Sequence, residues 1–380
     1  MMFRKRLCYH RAMTVSSPVV PIQYVPGLHA LRVYAALSVV VGHVHEFIPG
    51  WFQTEVNTGI LPHLLLTGTD SVTLFYVLSG FLLTSILLSE KRQRDQIDVM
   101  GFYLQRIRRV VPLYYVVLAV TAVVSIATVP DYAIVFGRQF DAVQFPAAIL
   151  FAAFIPLALE SISGMVSHYW SLGVEMVFYA LVPWLTVARR VPLALGLVIA
   201  LRLLILALTP VESAAHQIVL YLKVDSLAVG ALFAWLWLHR RTLVERTLTT
   251  RPARIGLVLA SAVLVVVELP SHNVLIDYVV TFVSGWLILN ISAGSFVLEN
   301  RLIRWLGDHT YGIYLWHMLA LFLVGASGLA GVRVYAAVLG ITMLLSILTR
   351  QLVERPFLRR RRPRPVPAPD STLPGGIEGA

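Results

Sequence analysis

The sequence predicts an all-α, polytopic membrane protein of about ten transmembrane helices with both termini cytoplasmic. Three observations predict it. Of 380 residues, 58% are hydrophobic and 13% charged, with a mean hydropathy of +0.76, whereas a soluble domain carries roughly 25% charged residues. The apolar residues fall in runs of about 15 or more, near the length a helix needs to cross about 30 Å of hydrocarbon. The basic residues behind the net charge of +11 sit in short clusters at 91–94, 106–109, 189–190, 240–254, 301–304 and 355–364. All of these fall on one side when ten helices are threaded in order, and that side is cytoplasmic by the excess of Arg and Lys in inner loops. The same distribution excludes nucleic-acid binding, because no basic patch is joined to a soluble fold. A single cysteine, Cys8, excludes an internal disulfide framework and any multi-cysteine metal site, and no metal is expected.

Taken in order, residues 1–26 carry Arg4, Lys5, Arg6 and Arg11 without the apolar core of a cleavable signal peptide, and read as a cytoplasmic arm in which Met13 is an alternative start. The transmembrane domain spans 27–357. Its first span is 27–47, and the others are placed near 70–88, 110–129, 168–187, 191–209, 217–238, 255–269, 275–293, 309–328 and 334–352. Residues 145–160 are also apolar. Counting them as an eleventh span would move Arg189 and Arg190 to the outside, so they are expected to be re-entrant or interfacial. Residues 358–380 form a basic and then proline-rich disordered tail. No internal repeat is visible, which weakens a transporter built on inverted halves. The expected location is the cell (inner) membrane.

The chemistry begins on the first span. Arg32 and His43 are separated by close to three helical turns, so they leave one face about 16 Å apart along the axis. A charge inside a span costs at least about 2.5 kcal/mol, so a polar stripe there is expected to face something useful. His45 points to the opposite face. Asp70 stands at the outer mouth of the second span, and Ser79-Gly80 in its middle reads as a close-packing pair. Arg106 and Arg109 stand three apart at the start of the third span. They are either positive-inside anchors or a fork for a polyphosphate headgroup at the inner mouth. Glu175 lies about two turns into the fourth span with nothing nearby in sequence to neutralise it, so it must pair, be protonated or face water. Trp170 and its aromatic neighbours offer walls for a sugar ring or belong to an interfacial belt. Lys223 and Asp225 enter the sixth span two residues apart and are read as neutralising one another or as binding substrate. Tyr314 and His317 lie on the ninth. His272 and Asp277 have the His-x4-Asp spacing of a glycerolipid acyltransferase motif, but in an outer loop without a phosphate-binding partner, and are read as chance.

Seven segments in order carry a resemblance: GLHALR at 27–32 with His43 beyond it, LFYVLSGFLLT at 74–84, RIRRVVPLYY at 106–115, YWSLGVEMVFY at 169–179, DSLAVGALFAW at 225–235, LGDHTYGIYLWH at 306–317 and VERPF at 353–357. With these the chain resembles the acyltransferase 3 family of integral membrane acyltransferases from Gly27 to Phe357. It departs from the family at His29, where an acidic residue is common, and at Gly173 and Met176 around the glutamate. The resemblance implies ten or so helices and transfer of an acyl group, usually acetyl, from acyl-CoA to a hydroxyl of a carbohydrate or other acceptor. It also implies acyl-CoA, acetyl-CoA in the usual case, as a co-substrate, with no bound cofactor expected. The resemblance further implies essential roles for Arg32 and His43, donor handling by Arg106 and Arg109, and a motif role for Trp170, Ser171, Leu172 and Glu175. Asp70, Lys223, Asp225, Tyr314 and His317 are the expected substrate contacts. Some relatives carry an additional esterase-like domain, which is not expected within these 380 residues.

The expected mechanism uses His43, oriented by Glu175, to take the proton of a hydroxyl arriving from outside, either directly or through an acyl-histidine. The acceptor is a cell-surface glycan or glycolipid, or else the sugar of a small secreted natural product. A transporter of an acyl donor or glycan that performs no chemistry is the rival reading.

Overall fold

The computed structural model describes residues 25–47, 68–128, 135–136, 144–158, 164–266, 273–296, 299–329 and 331–358. Nearly all of the N-terminal arm, the tail beyond Leu358, Cys8 and His272 lie outside these. The described residues are helical with connecting turns and contain no strand. Seven helical segments are long and apolar enough to cross a membrane: Gly68–Arg94, Val99–Ala127, Gly164–Val187, Val191–Leu208, Ala214–His239, Val274–Ser292 and Arg333–Leu358. An eighth is formed if Arg241–Thr247 and Arg251–Val266, bent by 75° at their break, are taken together. The protein is therefore a polytopic helical membrane protein.

In chain order the helices that position the site are α1 (Leu28–Phe47), α2 (Gly68–Arg94), α3 (Val99–Ala127), α4 (Gln144–Ile149), α5 (Phe154–Ala158), α6 (Tyr169–Val187), α7 (Val191–Leu208), α8 (Ala214–Tyr221), α9 (Val224–His239), α10 (Arg241–Thr247), α11 (Arg251–Val266), α12 (Val274–Ser292), α13 (Arg301–Ala326) and α14 (Arg333–Thr349), which continues through a π-helical turn at Arg350–Glu354. Two helices of comparable length, α1 and α13, are absent from the set selected by apolarity. They carry Arg32, His43, His45 and Glu46, and Asp308, His309 and His317, whose polarity lowers their average. These two pack on one another, and α1 also packs on α2.

The outer surface fits a lipid solvent. Leu193, Leu197, Leu201, Leu204 and Leu208 recur at three- and four-residue intervals on α7 and are each more than half exposed. In water such a stripe would be an aggregation hazard, whereas in hydrocarbon it is an ordinary helix face.

At the centre, α2 lies along α9. A Cβ on Gly80 would overlap the Leu227 carbonyl, and one on Gly230 would overlap the Val77 carbonyl, so the two glycines let the backbones touch. This agrees with the packing read from Ser79-Gly80. Replacing Gly80 by valine is expected to force α2 and α9 apart at a cost of about 1–3 kcal/mol or more, read as a lowered melting temperature in detergent.

Residues 145–160 form no span in the described part. They hold α4 and α5, of 6 and 5 residues, which are too short to cross. The hydroxyls of Tyr114 and Tyr115 on α3 donate to the carbonyls of Ala148 at 2.6 Å and Ile149 at 2.9 Å, and the Tyr114 ring stacks on Phe151 at 4.1 Å. Gly173 of α6 lies so close to the Phe151 carbonyl that a Cβ there would overlap it. The segment is thus docked against the bundle.

Candidate functional site

One end of the bundle gathers the arginines. Arg109 of α3 pairs with Glu354 at 3.5 Å, and Arg350 pairs with Asp308 of α13 at 3.0 Å. Lys91, on the last turns of α2, donates to the carbonyls of Thr186 and Val187, which terminate α6. A cation on unsatisfied C-terminal carbonyls is favoured by the helix dipole.

From this end a cavity of about 510 Å³ runs into the bundle. Arg32 of α1, Ser79 of α2, Arg106 and Arg109 of α3, Glu175 of α6 and Tyr314 of α13 all line it. The three-residue spacing of Arg106 and Arg109 does what helical periodicity requires and turns both side chains to one side. Arg109 is shared with Glu354, whereas the Nε of Arg106 is buried with no hydrogen-bond partner. Inside the cavity, Ser79 Oγ donates to Oε1 of Glu175. A half-buried carboxylate in a bundle needs such a donor.

Beyond Tyr314 stands a cluster of imidazoles. His43 Nδ1 lies 2.9 Å from His317 Nε2, the two rings are within 7° of parallel, and the His168 ring meets that of His317 at 4.9 Å and 67°. Tyr314 lines the cavity and also touches the rings of His317 and His168, which joins cavity and cluster. Its hydroxyl donates to the His168 carbonyl at 2.9 Å and sits 2.5 Å from Ser171 Oγ, while its carbonyl accepts from His317 Nδ1 at 2.6 Å. Phe75 packs edge-on against the same ring. Tyr76 completes the wall, its hydroxyl donating to the Ser171 carbonyl at 3.1 Å.

The structure thus brings Arg32, Arg106, Arg109, Glu175 and Tyr314 to one cavity and His43 and His317 to a cluster at its inner wall. It departs from the expected His43–Glu175 contact. Glu175 is bonded to Ser79 on the cavity side of Tyr314, and His43 takes its partner from α13 instead.

Other expected contacts lie elsewhere. Trp170 does not line the cavity but packs against Tyr76 and Tyr221 at centroid distances of 6.2 and 5.7 Å. Asp70 is buried in the first turn of α2, at the opposite end from the arginines. Lys223 and Asp225 do not neutralise one another. Lys223 pairs with Asp277 of α12 at 2.7 Å, and Asp225 pairs with Arg202 of α7 at 2.8 Å. Both pairs are away from the cavity. His45 is exposed, as its register requires.

Ser79 and His168 belong to the site though the sequence marks Ser79 only as a packing residue, and Asp277, in a spacing read as chance, and Arg202 are partners the sequence does not assign. Arg202, a lone charge in an otherwise apolar run, and His168, beside the YWSL segment, were both visible as intramembrane polar groups that demand partners. Among the described residues no group of three His, Cys, Asp or Glu side chains is arranged to hold a metal ion.

Chemically, the cavity offers guanidinium groups suited to phosphate at its mouth and polar hydroxyls and a carboxylate along its depth. Behind its end wall stands an imidazole pair able to move a proton.

Comparison with known proteins gives a consistent picture. The acyltransferase 3 family model, described as an acyltransferase domain, matches residues 25–351. The chain is 23% identical over 325 residues to the peptidoglycan O-acetyltransferase OatA of Listeria monocytogenes, covering 78% of this chain and 49% of that protein. It is 22% identical over 374 residues to the O-acetyltransferase OatA of Staphylococcus aureus, covering 89% of this chain and 58% of that protein. The chain spans about half the length of these curated relatives. No solved structure matches.

Proposed function

The chain belongs to the acyltransferase 3 family, and we propose that it moves an acetyl or other short acyl group from acyl-CoA to a hydroxyl of a cell-surface carbohydrate. The observation that carries this reading is the cavity itself, which is lined by Arg32, Arg106 and Arg109 and reaches Tyr314, whose carbonyl accepts from His317, the partner of His43. Its volume of about 510 Å³ lies in the range of ligand-binding clefts. The acceptor class is supported by the relatives named as O-acetyltransferases, one of them of peptidoglycan.

In this reading α1, α13 and the bent pair α10–α11 cross the bilayer with the seven apolar segments. That makes ten spans, with both termini cytoplasmic in the cell's inner membrane. The arginine-rich end then faces the cytoplasm, where acyl-CoA is made, and the imidazole end faces outward.

The reaction divides along the same axis. Arg106 and Arg109 hold the phosphates of coenzyme A, and the thioester arm runs inward past Arg32 and the Ser79–Glu175 pair to the Tyr314 wall. His43 takes the proton of the acceptor hydroxyl. The alkoxide oxygen attacks the thioester carbonyl, the carbon–sulfur bond breaks, and the departing thiolate recovers that proton from the imidazolium. Ester and free coenzyme A leave at opposite faces. His43 does not line the cavity, so in this reading the thioester reaches it when the wall that includes Tyr314 and Phe75 moves.

The test is thiol release. Proteoliposomes supplied with acetyl-CoA and a cell-wall glycan fragment should release free coenzyme A only when acceptor is present, with the fragment gaining the mass of one acetyl group. Passage of donor or glycan across the bilayer without thiol release would establish a transporter instead. Arg106→Ala should raise the KM for acetyl-CoA about tenfold or more with little change in kcat, since a hydrogen bond to a charged group contributes about 1.5–3 kcal/mol. Arg109→Ala should cost less, because Glu354 already shares that guanidinium.

A further inference from the structure

We propose that His317 is a positioning residue that fixes His43 in the tautomer with Nδ1 protonated and Nε2 bare, so that Nε2 is the atom that receives the acceptor's proton. The inference rests on the acyl-transfer reading above.

It follows from a chain of two hydrogen bonds. His317 is fully buried on α13, with Nδ1 2.6 Å from the Tyr314 carbonyl. A carbonyl oxygen only accepts, so Nδ1 carries the hydrogen, and Nε2 of the neutral ring is left as a lone pair. That lone pair lies 2.9 Å from His43 Nδ1. Two lone pairs do not bond, so His43 Nδ1 carries a hydrogen and donates it. In a neutral His43 the remaining nitrogen, Nε2, is then unprotonated.

The ring geometry agrees. The planes are within 7° of parallel and the centroids 5.1 Å apart, yet the two nitrogens are only 2.9 Å apart. Each nitrogen lies one ring radius from its centroid, so such a reduction requires both to point nearly straight at one another in a common plane. This is in-plane N–H···N bonding rather than face-to-face stacking.

His168 and Tyr314 pack on the His317 ring at centroid distances of 4.9 and 5.6 Å, which holds its orientation. The backbone of α13 thereby selects the reactive nitrogen on α1. When Nε2 takes the hydroxyl proton, Nδ1–H still donates to His317, and the imidazolium keeps a partner until the thiolate reclaims the proton. His317 touches neither acyl donor nor acceptor in this scheme.

Two substitutions separate this role from bulk packing. His317→Gln keeps a carbonyl oxygen able to accept from His43 Nδ1 and an amide able to donate to the Tyr314 carbonyl. His317→Leu keeps volume and removes both functions. His317→Leu is expected to lower kcat about 10²-fold with the KM of donor and acceptor unchanged, while His317→Gln stays within about tenfold of the parent. On the parent protein labelled with 15N-histidine, the His43 signals should report a protonated Nδ1 and a bare Nε2, and this readout stands even where a variant fails to fold. A fully active His317→Leu, a His317→Gln as impaired as His317→Leu, or a His43 protonated at Nε2 would overturn the proposal. Full activity of His43→Ala would instead remove the acyl-transfer role of His43 itself, so the two failures are distinguishable.

Discussion

His43→Ala is expected to lower acceptor-dependent release of coenzyme A by about 10²–10⁴-fold, the range that a positioned general base contributes, in a protein that still folds. Folding should survive because His43 is only half-buried and, among the described residues, its side chain bonds to His317 alone. Its removal leaves His317 Nε2 without a donor, at a cost of about 1–3 kcal/mol, and deletes a tilted ring contact with Phe47 at 5.9 Å. The loss should fall on kcat. Arg106 and Arg109 lie at the far end of the cavity, so the KM for acetyl-CoA should stay near the parent value. Rates from the thiol assay, set beside melting temperatures in the same detergent, check both halves. A folded variant that kept parental turnover would transfer the base role away from α1, and His168, the third ring of the cluster, would be next to test.

Part of this site is written in the sequence because helical periodicity is a local property. Arg32 and His43 on one face of α1, and Arg106 and Arg109 on one face of α3, follow from 3.6 residues per turn, and the structure turns Arg32, Arg106 and Arg109 into the same cavity. The need of Glu175 for a partner also follows, from the cost of a lone carboxylate in a bundle. What periodicity cannot supply is which helix stands opposite. Glu175 meets Ser79, which lies 96 positions away, and His43 meets His317, which lies 274 positions away. Both choices depend on which helices stand next to one another in the folded bundle. The same limit explains Lys223 and Asp225. Their closeness in sequence suggests a mutual pair, but Lys223 caps α9 while Asp225 lies in its first turn, and the two side chains meet charges on α12 and α7 instead. Apolarity alone has a related weakness. It passes over α1 and α13 because the polar groups that build the imidazole cluster lower their averages.

The second large effect concerns those charges. Lys223→Met is expected to destabilise the bundle by about 3–5 kcal/mol, the usual cost of breaking a buried pair from one side, because Asp277 would be left charged and enclosed. The two side chains are 2.7 Å apart and almost wholly buried. Lys223 caps the start of α9 and Asp277 lies in the first turn of α12, so the pair joins these two helices. Replacing both partners, as Lys223→Met with Asp277→Leu, should recover most of the loss, since apolar side chains of similar volume pack without the desolvation cost that ion pairs carry. Neither residue lines the cavity, so the double variant should also keep the parent KM for acetyl-CoA. Thermal melts of the two single variants and the double variant give the coupling energy directly. Kinetics on the double variant then decide between roles. A stable double variant with a raised acceptor KM would return Lys223 to substrate binding, and an unaltered KM would establish the pair as a clamp between helices.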